Sequence, residues 1–184
     1  MPSYHAHMKR NILPTSFFMR STLVVAEELL GKFLVMRQND GSEIAHMITN
    51  VEAYDGFQDK ASHASRGRTN RNAPMFEAGG IWYVYFVYGM HHMLNVVTGQ
   101  NGYPAAVLLR GVEGMDGPAK LTKQYGIDRN FYSLPARKKT GLWIEDRGFI
   151  VPAKQIKKAP RIGVDYAGPV WAKKRYRFFI ARNV

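Results

Sequence analysis

Hydrophobic positions in this chain change their period several times, and each change marks an element. After Leu13-Pro14-Thr15, the residues Leu23, Ala26, Leu29 and Leu30 recur at three- and four-residue spacing, the period of a helix face, with Gly31 placed as its C-cap. Phe33–Met36 is short and apolar and predicts a strand, and Asp40-Gly41 is a turn signal. From Glu43 to Tyr54 the β-branched Ile44, Ile48, Thr49 and Val51 predict a second strand that ends in Glu52-Ala53-Tyr54. Residues 56–74 are polar and predict a long loop with at most a helical turn, carrying His63, Arg66, Arg68 and Arg71. Loops of this length in compact domains are usually functional or disordered.

Aromatic and β-branched residues then fill Ile81–Tyr88, Gly89-Met90 turns the chain, and His91–Thr98 returns, which together predict a hairpin. Ala105–Gly111 follows the Gly102-Tyr103-Pro104 turn as a third strand. Gly117–Gly126 reads as a helix with Pro118 in its first turn, and Gly141–Ile144 and Arg175–Ile180 as closing strands. Strands outnumber helices and do not alternate with them. The expected class is α+β, one compact domain over residues 1–184 with a mostly antiparallel sheet and flanking helices. Residues 1–11, with His5, His7, Lys9 and Arg10, are expected to form a flexible arm.

Composition narrows the function. At 184 residues and 46% hydrophobic content the chain has enough apolar mass for a core without a disulfide or metal staple. Lys plus Arg is 26 against 14 Asp plus Glu, a net charge of +12. Such a surface attracts phosphate polyanions, although a generic basic surface or a membrane- or ribosome-associated protein has the same balance. The absence of cysteine excludes disulfides, cysteine nucleophiles, iron–sulfur clusters and Cys-type zinc sites. No apolar run approaches the ~20 residues of a membrane span, and the N-terminus has no signal-peptide core. A cytoplasmic or nucleoid location is the expectation, or a nuclear one in a eukaryote.

Several familiar chemistries are missing. The sequence has no phosphate-binding glycine loop, dinucleotide fingerprint or nucleophile elbow. His91 and His92 are adjacent on a strand and point to opposite faces, so no metal site is expected there. What remains is aromatics, one carboxylate and several arginines. Alternation puts Tyr83 and Tyr85 on one face, and Val84, Phe86 and Tyr88 on the other. Taken singly, each aromatic fits an ordinary sheet core. Tyr88, at the hairpin tip, fits a core role poorly and a wedge entering a duplex well. Glu52 taken alone fits a solvated or salt-bridged carboxylate. Beside Tyr54, with His63 close in sequence, it also fits a base pocket, where aromatics stack on an extruded base and a carboxylate activates water.

One ordered signature runs through these residues. Val51-Glu52-Ala53-Tyr54 is followed by Asp59-x-Ala61-Ser62-His63-Ala64 and by Arg66-Gly67-x-Thr69-x-Arg71-Asn72-x-x-Met75-Phe76. It continues with Tyr83-Val84-Tyr85, Tyr88-Gly89-Met90, Asn95, Leu108-Leu109-Arg110, Gly117-Pro118-Ala119-Lys120-Leu121 and Arg161-Ile162-Gly163-Val164. From Ile12 to Ile180 the chain resembles the alkyladenine (3-methyladenine) DNA glycosylase family, the human-type enzyme and its bacterial relatives.

The resemblance implies a curved, mostly antiparallel sheet with a protruding β-hairpin that inserts into DNA. It implies a monofunctional glycosylase that needs no cofactor or metal. Such an enzyme would work as a monomer on double-stranded DNA containing 3-methyladenine, 7-methylguanine, hypoxanthine or ethenoadenine. Tyr88 matches the intercalating residue, and Tyr54, His63 and Tyr85 match those that sandwich the extruded base. Glu52 matches the general base, Arg110 a residue that helps hold the attacking water, and the Ile162 carbonyl a further partner of that water. Asn95 matches the residue that excludes the 2-amino group of guanine, and the His63 N–H the donor to the purine's six-position. Arg66, Arg68, Arg71, Met90 and His91 are expected at the DNA backbone. A non-catalytic binder of damaged DNA is the alternative, and the presence of Glu52 weighs against it.

Four features depart from the family pattern. Asn50 stands where relatives often carry an acidic residue or Thr. Gly79-Gly80 replaces a frequent Pro-Gly and is expected to loosen the approach to the hairpin. His91-His92 follow the tip, and the Ser133–Lys139 loop is short. None touches Glu52, Tyr54, His63, Tyr85 or Arg110, so they bear on substrate range.

Overall fold

The computed structural model describes residues 9–181, so His5 and His7 of the expected arm lie outside the described residues. In chain order the elements are β1 (Asn11–Ile12), α1 (Thr15–Phe18), α2 (Thr22–Leu29), β2 (Phe33–Arg37), β3 (Glu43–Asp55), β4 (Trp82–Val87) and β5 (His91–Val97). They continue with β6 (Ala105–Val112), β7 (Met115–Asp116), α3 (Pro118–Tyr125), β8 (Leu142–Asp146), β9 (Ile156–Ala159), α4 (Gly168–Ala172) and β10 (Arg177–Ile180). Among the described residues ten strands join one open sheet along the path β1-β8-β2-β3-β6-β5-β4. β10 is added beside β3, β9 beside β10 and β7 beside β6. Every ladder is antiparallel, so the chain is α+β as expected.

β3 organises the sheet. Its first half pairs with β2, from Glu43↔Arg37 to Met47↔Phe33. Its second half lies between β6 and β10. Two register shifts interrupt the β3–β6 ladder. Ile48 faces Val112 and Asn50 faces Gly111, which leaves Thr49 unpaired; Val51 then faces Leu109, which leaves Arg110 unpaired. Such bulges turn a side chain away from strict alternation. The Asn50 amide fastens this region, donating to Asp116 Oδ1 at 2.9 Å while its Oδ1 accepts from Arg177 Nε at 3.1 Å.

Alternation gives the sheet one apolar face. Val51 and Ala53 of β3, Val107 and Leu109 of β6, Leu94 and Val96 of β5, and Trp82 and Val84 of β4 all enter the main core. α2 packs there through Val25, Ala26 and Leu29, and α3 through Leu121 and Tyr125. α2 has the predicted spacing and ends at Leu29, where Gly31 at φ +85 turns the chain into β2. α3 starts with Pro118 in its first turn and ends on Gly126 in the left-handed region.

Some elements differ from expectation. The polar stretch 56–74 contains two 3₁₀ turns, His63–Arg66 and Ala73–Phe76. β1, β7, β9 and α4 went unpredicted because segments of two to five residues are too short to show a period. The Gly79-Gly80 approach to the hairpin is tied down, with Gly79 N–H on the Gly99 carbonyl and Gly80 N–H on the Val97 carbonyl. Arg10 and Asn11, counted with the expected arm, are docked. Asn11 pairs with Asp146, and Arg10 bonds the buried Glu145 through Nε at 2.9 Å and Nη2 at 2.8 Å.

Burial alone would raise the pKa of Glu145, but hydrogen bonds from Arg10, Trp143 and Arg147 outweigh it and hold the carboxyl below its ordinary value. A carboxyl lowered on folding stabilises the fold above its unfolded pKa, and that stability is lost as pH falls through the folded value. Between about pH 5 and 3 the urea midpoint of the wild type should therefore fall more steeply than that of Glu145→Gln. Parallel pH curves for the two proteins would contradict this assignment.

Candidate active site

The face of the sheet opposite the core carries polar and aromatic groups in one cross-strand row. Arg177 of β10 faces Glu52 of β3, Glu52 faces Leu108 of β6, Leu108 faces Asn95 of β5, and Asn95 faces Tyr83 of β4. Tyr54 and Tyr85, two residues along β3 and β4, share that face by alternation.

Glu52 is 0% exposed. Burying a carboxylate is costly unless donors replace its water, and three do so. Tyr54 OH donates to Oε2 at 2.9 Å, Ile162 N–H donates to Oε1 at 2.8 Å, and Arg110 Nη1 lies 3.3 Å from Oε1. Arg110 lies two residues beyond Leu108 on β6, so with Val107 and Leu109 in the core alternation gives it the Glu52 face. Ile162 meets Glu52 through its N–H, whereas the resemblance implied a role for its carbonyl. Oε2, which accepts from Tyr54, has a further lone pair for a water molecule.

Beside Glu52 opens a pocket lined by Tyr54, Ala61, His63, Met75, Tyr83, Tyr85, Asn95 and Tyr166. The expected residues Tyr54, His63, Tyr85 and Asn95 are thus brought together. Asn95 is buried, and its Nδ2 donates to the Tyr83 carbonyl at 3.0 Å, which fixes the amide in the pocket wall. The His63 and Tyr85 rings meet edge to face with centroids 4.5 Å apart. His63 Nδ1 is 3.0 Å from the Tyr83 hydroxyl. Among the described residues the His63 N–H has no protein acceptor. His63 is partly open to water, but desolvation of its ring by the packed pocket groups, and next the Arg71 charge, lower its pKa to about 4, so the ring is neutral at physiological pH. Burial, and then the Glu52 charge, hold the Tyr54 and Tyr85 hydroxyls well above their ordinary pKa, so they remain protonated donors.

Around the pocket lie the groups expected at DNA. Tyr88 is 87% exposed at the hairpin tip, with φ +53. With Gly89 at φ +66 and Met90 N–H on the Val87 carbonyl, it forms a tight turn that normally takes Asn or Gly at Tyr88's position. Met90 is 67% exposed and His91 is half-buried beside it. Arg66 has no protein partner among the described residues, and Arg68 pairs with Glu77 at the surface. Arg71 lies 5.5 Å from the Tyr85 ring centroid and donates to the Phe86 carbonyl.

Sequence reasoning did not assign Tyr166, Met75, Ala61 or Tyr83 to the pocket. For Tyr83 the signal was present, since alternation put it on the Tyr85 face. Tyr166 is 70% exposed, and its hydroxyl reaches the Ala61 carbonyl across 105 residues, which no local pattern announces. Among the described residues no set of three or more His, Asp or Glu side chains is arranged to hold a metal. No helix among them is long and apolar enough to cross a membrane.

Comparison with known proteins fits this geometry. The profile of the family described as methylpurine-DNA glycosylase (MPG) matches residues 16–116 and 114–184. A Myxococcus xanthus protein named as a 3-methyladenine DNA glycosylase is 42% identical over 92% of this chain and 90% of its own length. Similar proteins of the same name come from Bdellovibrio bacteriovorus, 41% identical over 92% and 95% of the two chains, and from Methanocella arvoryzae, 41% identical over 91% and 92%.

The lowered pKa of His63 can be read directly. In an NMR titration its ring should protonate with a midpoint near 4, and Arg71→Ala should move that midpoint upward. A midpoint near the unperturbed value of about 6.5 would contradict the desolvated ring.

Proposed function

The chain belongs to the methylpurine-DNA glycosylase family of N-glycosidic hydrolases, and on that premise we propose that it flips alkylated or deaminated purines out of duplex DNA and cleaves their bond to the sugar, leaving an abasic site. The substrates are 3-methyladenine, 7-methylguanine, hypoxanthine and ethenoadenine. The observation that carries this reading is Glu52, a fully buried carboxylate held by three donors beside an aromatic pocket. A non-catalytic binder of damaged DNA would have no use for so costly a group.

Cleavage of the bond develops positive charge on the sugar, which a fixed carboxylate stabilises without reorganising. Glu52 accepts a proton from water held between it, Arg110 and the Ile162 carbonyl. One carboxylate working through water leads to inversion at the sugar, by analogy with other glycosidases. Tyr54, His63 and Tyr85 sandwich the extruded base. A cationic purine such as 3-methyladenine gains from the electron-rich tyrosine faces and leaves readily. A neutral His63 ring adds no positive charge against such a base. The His63 N–H donates to the six-position substituent, and Asn95, with its amide already committed, obstructs the 2-amino group of guanine.

Tyr88 fills the gap left in the duplex, a role supported by its exposure at the hairpin tip. Arg66, Arg68, Arg71, Met90 and His91 contact the DNA backbone, which sets position without reading sequence. The protein acts as a monomer with no cofactor, where the DNA is: the cytoplasm or nucleoid of a prokaryote, or the nucleus of a eukaryote.

Duplex oligonucleotides carrying each lesion, incubated with the protein and then cleaved at abasic sites with alkali, test the reading. Glu52→Gln should lower the single-turnover excision rate about a thousandfold or more while keeping affinity for lesion DNA. Near-normal excision by that variant would rule out the general-base role. Tyr88→Ser should reduce flipping more than overall affinity. An unchanged 2-aminopurine fluorescence response on binding would remove the wedge.

A further inference from the structure

We propose that Asp59 and Arg161 are a positioning pair that holds Glu52 and the Tyr54 ring in working geometry, a reading that rests on the glycosylase function proposed above. Both side chains are 0% exposed. Arg161 Nη2 donates to Asp59 Oδ1 at 2.8 Å, and Nη1 donates to Asp59 Oδ2 and, at 2.8 Å, to the Ala53 carbonyl. The guanidinium lies 4.8 Å from the Tyr54 ring centroid and 5.2 Å from that of Tyr176. Asp59 also accepts the N–H groups of Asp55 and Ala61.

These contacts converge on the reacting end of the site. Ala53 lies between Glu52 and Tyr54, so gripping its carbonyl fixes the backbone that carries both. The next residue after Arg161 is Ile162, whose N–H reaches Glu52 Oε1. Asp59 pins the turn that leads into His63. One guanidinium therefore joins three segments: the end of β3, the loop before His63 and the segment before Gly163. A buried ion pair is weak evidence of stabilisation, because apolar residues of similar volume often do as well. Apolar residues would fill the space but would supply none of these directed bonds. A lysine could not fork onto both Asp59 oxygens and reach the Ala53 carbonyl as well.

The variants Arg161→Lys, Asp59→Asn and the apolar double variant Asp59→Leu/Arg161→Met separate positioning from stability. Each is measured by circular dichroism, single-turnover excision, affinity for the same lesion duplex and hydrogen exchange at the Ile162 amide. Excision should fall on the order of a hundredfold while the dissociation constant moves less than about threefold. The Ile162 amide should exchange at least about tenfold faster. The double variant should fold as well as the wild type and still lose excision, so the outcome does not depend on whether the single variants fold. A folded double variant that excises within about threefold of the wild type, or that keeps the wild-type exchange rate at Ile162, overturns the proposal. If the wild type itself excises none of the lesions, the glycosylase reading fails, and the Ile162 exchange rates still decide whether the pair positions that donor.

Discussion

The register of β3 is the constraint on which the other features rest. Side chains alternate along a strand, so Val51 and Ala53 enter the core while Glu52 and Tyr54 face the other way. A slip of one residue would drive the Glu52 carboxylate among Leu109, Val96 and Trp82 and put Val51 in its place. The apolar face therefore fixes the polar one. α2 and α3 hold the register from behind, and alternation along β6 brings the Arg110 guanidinium to the carboxylate. Core and site are two faces of one sheet and cannot be repacked independently.

Charge on the site face is handled in layers. Glu52 takes donors from three separate segments, so its position records the placement of all three. Arg161 stands behind two of those donors and is itself neutralised by Asp59. The outer arginines are different: Arg66, Arg68 and Arg71 are exposed and loosely engaged. Inner charges are fixed before any ligand arrives, and outer charges stay free to follow one. That division suits a protein with a fixed pocket and a flexible polyanion to grip.

Much of this could be read from the sequence, and the rest fails for definite reasons. Alternation and turn chemistry gave β2, β3, the β4–β5 hairpin, β6 and α3 to within a few residues, because each has a hydrophobic face long enough to show a period. β9 is four residues with Lys157 and Lys158 exposed, and it exists only because β10 offers an edge. Tyr54, His63 and Tyr85 are legible through the ordered signature that contains them, whereas Tyr166 joins them only in the fold. The Arg161–Asp59 pair and the Ile162–Glu52 bond span 102 and 110 residues, and no local signal predicts such closures. The Arg110 bulge was also hidden, since register shifts depend on both strands at once. The expected arm shows the converse failure: Arg10 looks like a solvated cation until Glu145 is seen buried beneath it.

Tyr88 holds a conformation that glycine or asparagine would adopt at little cost, and for a tyrosine it stores about 1–2 kcal/mol. Its ring touches too little of the protein to repay that strain, being almost wholly in water. Laboratory evolution for heat resistance alone would therefore replace this residue early, most readily with asparagine before Gly89. The product would be a sturdier molecule with a blunt hairpin. A tyrosine at this place marks a chain whose ancestors were screened for something other than endurance.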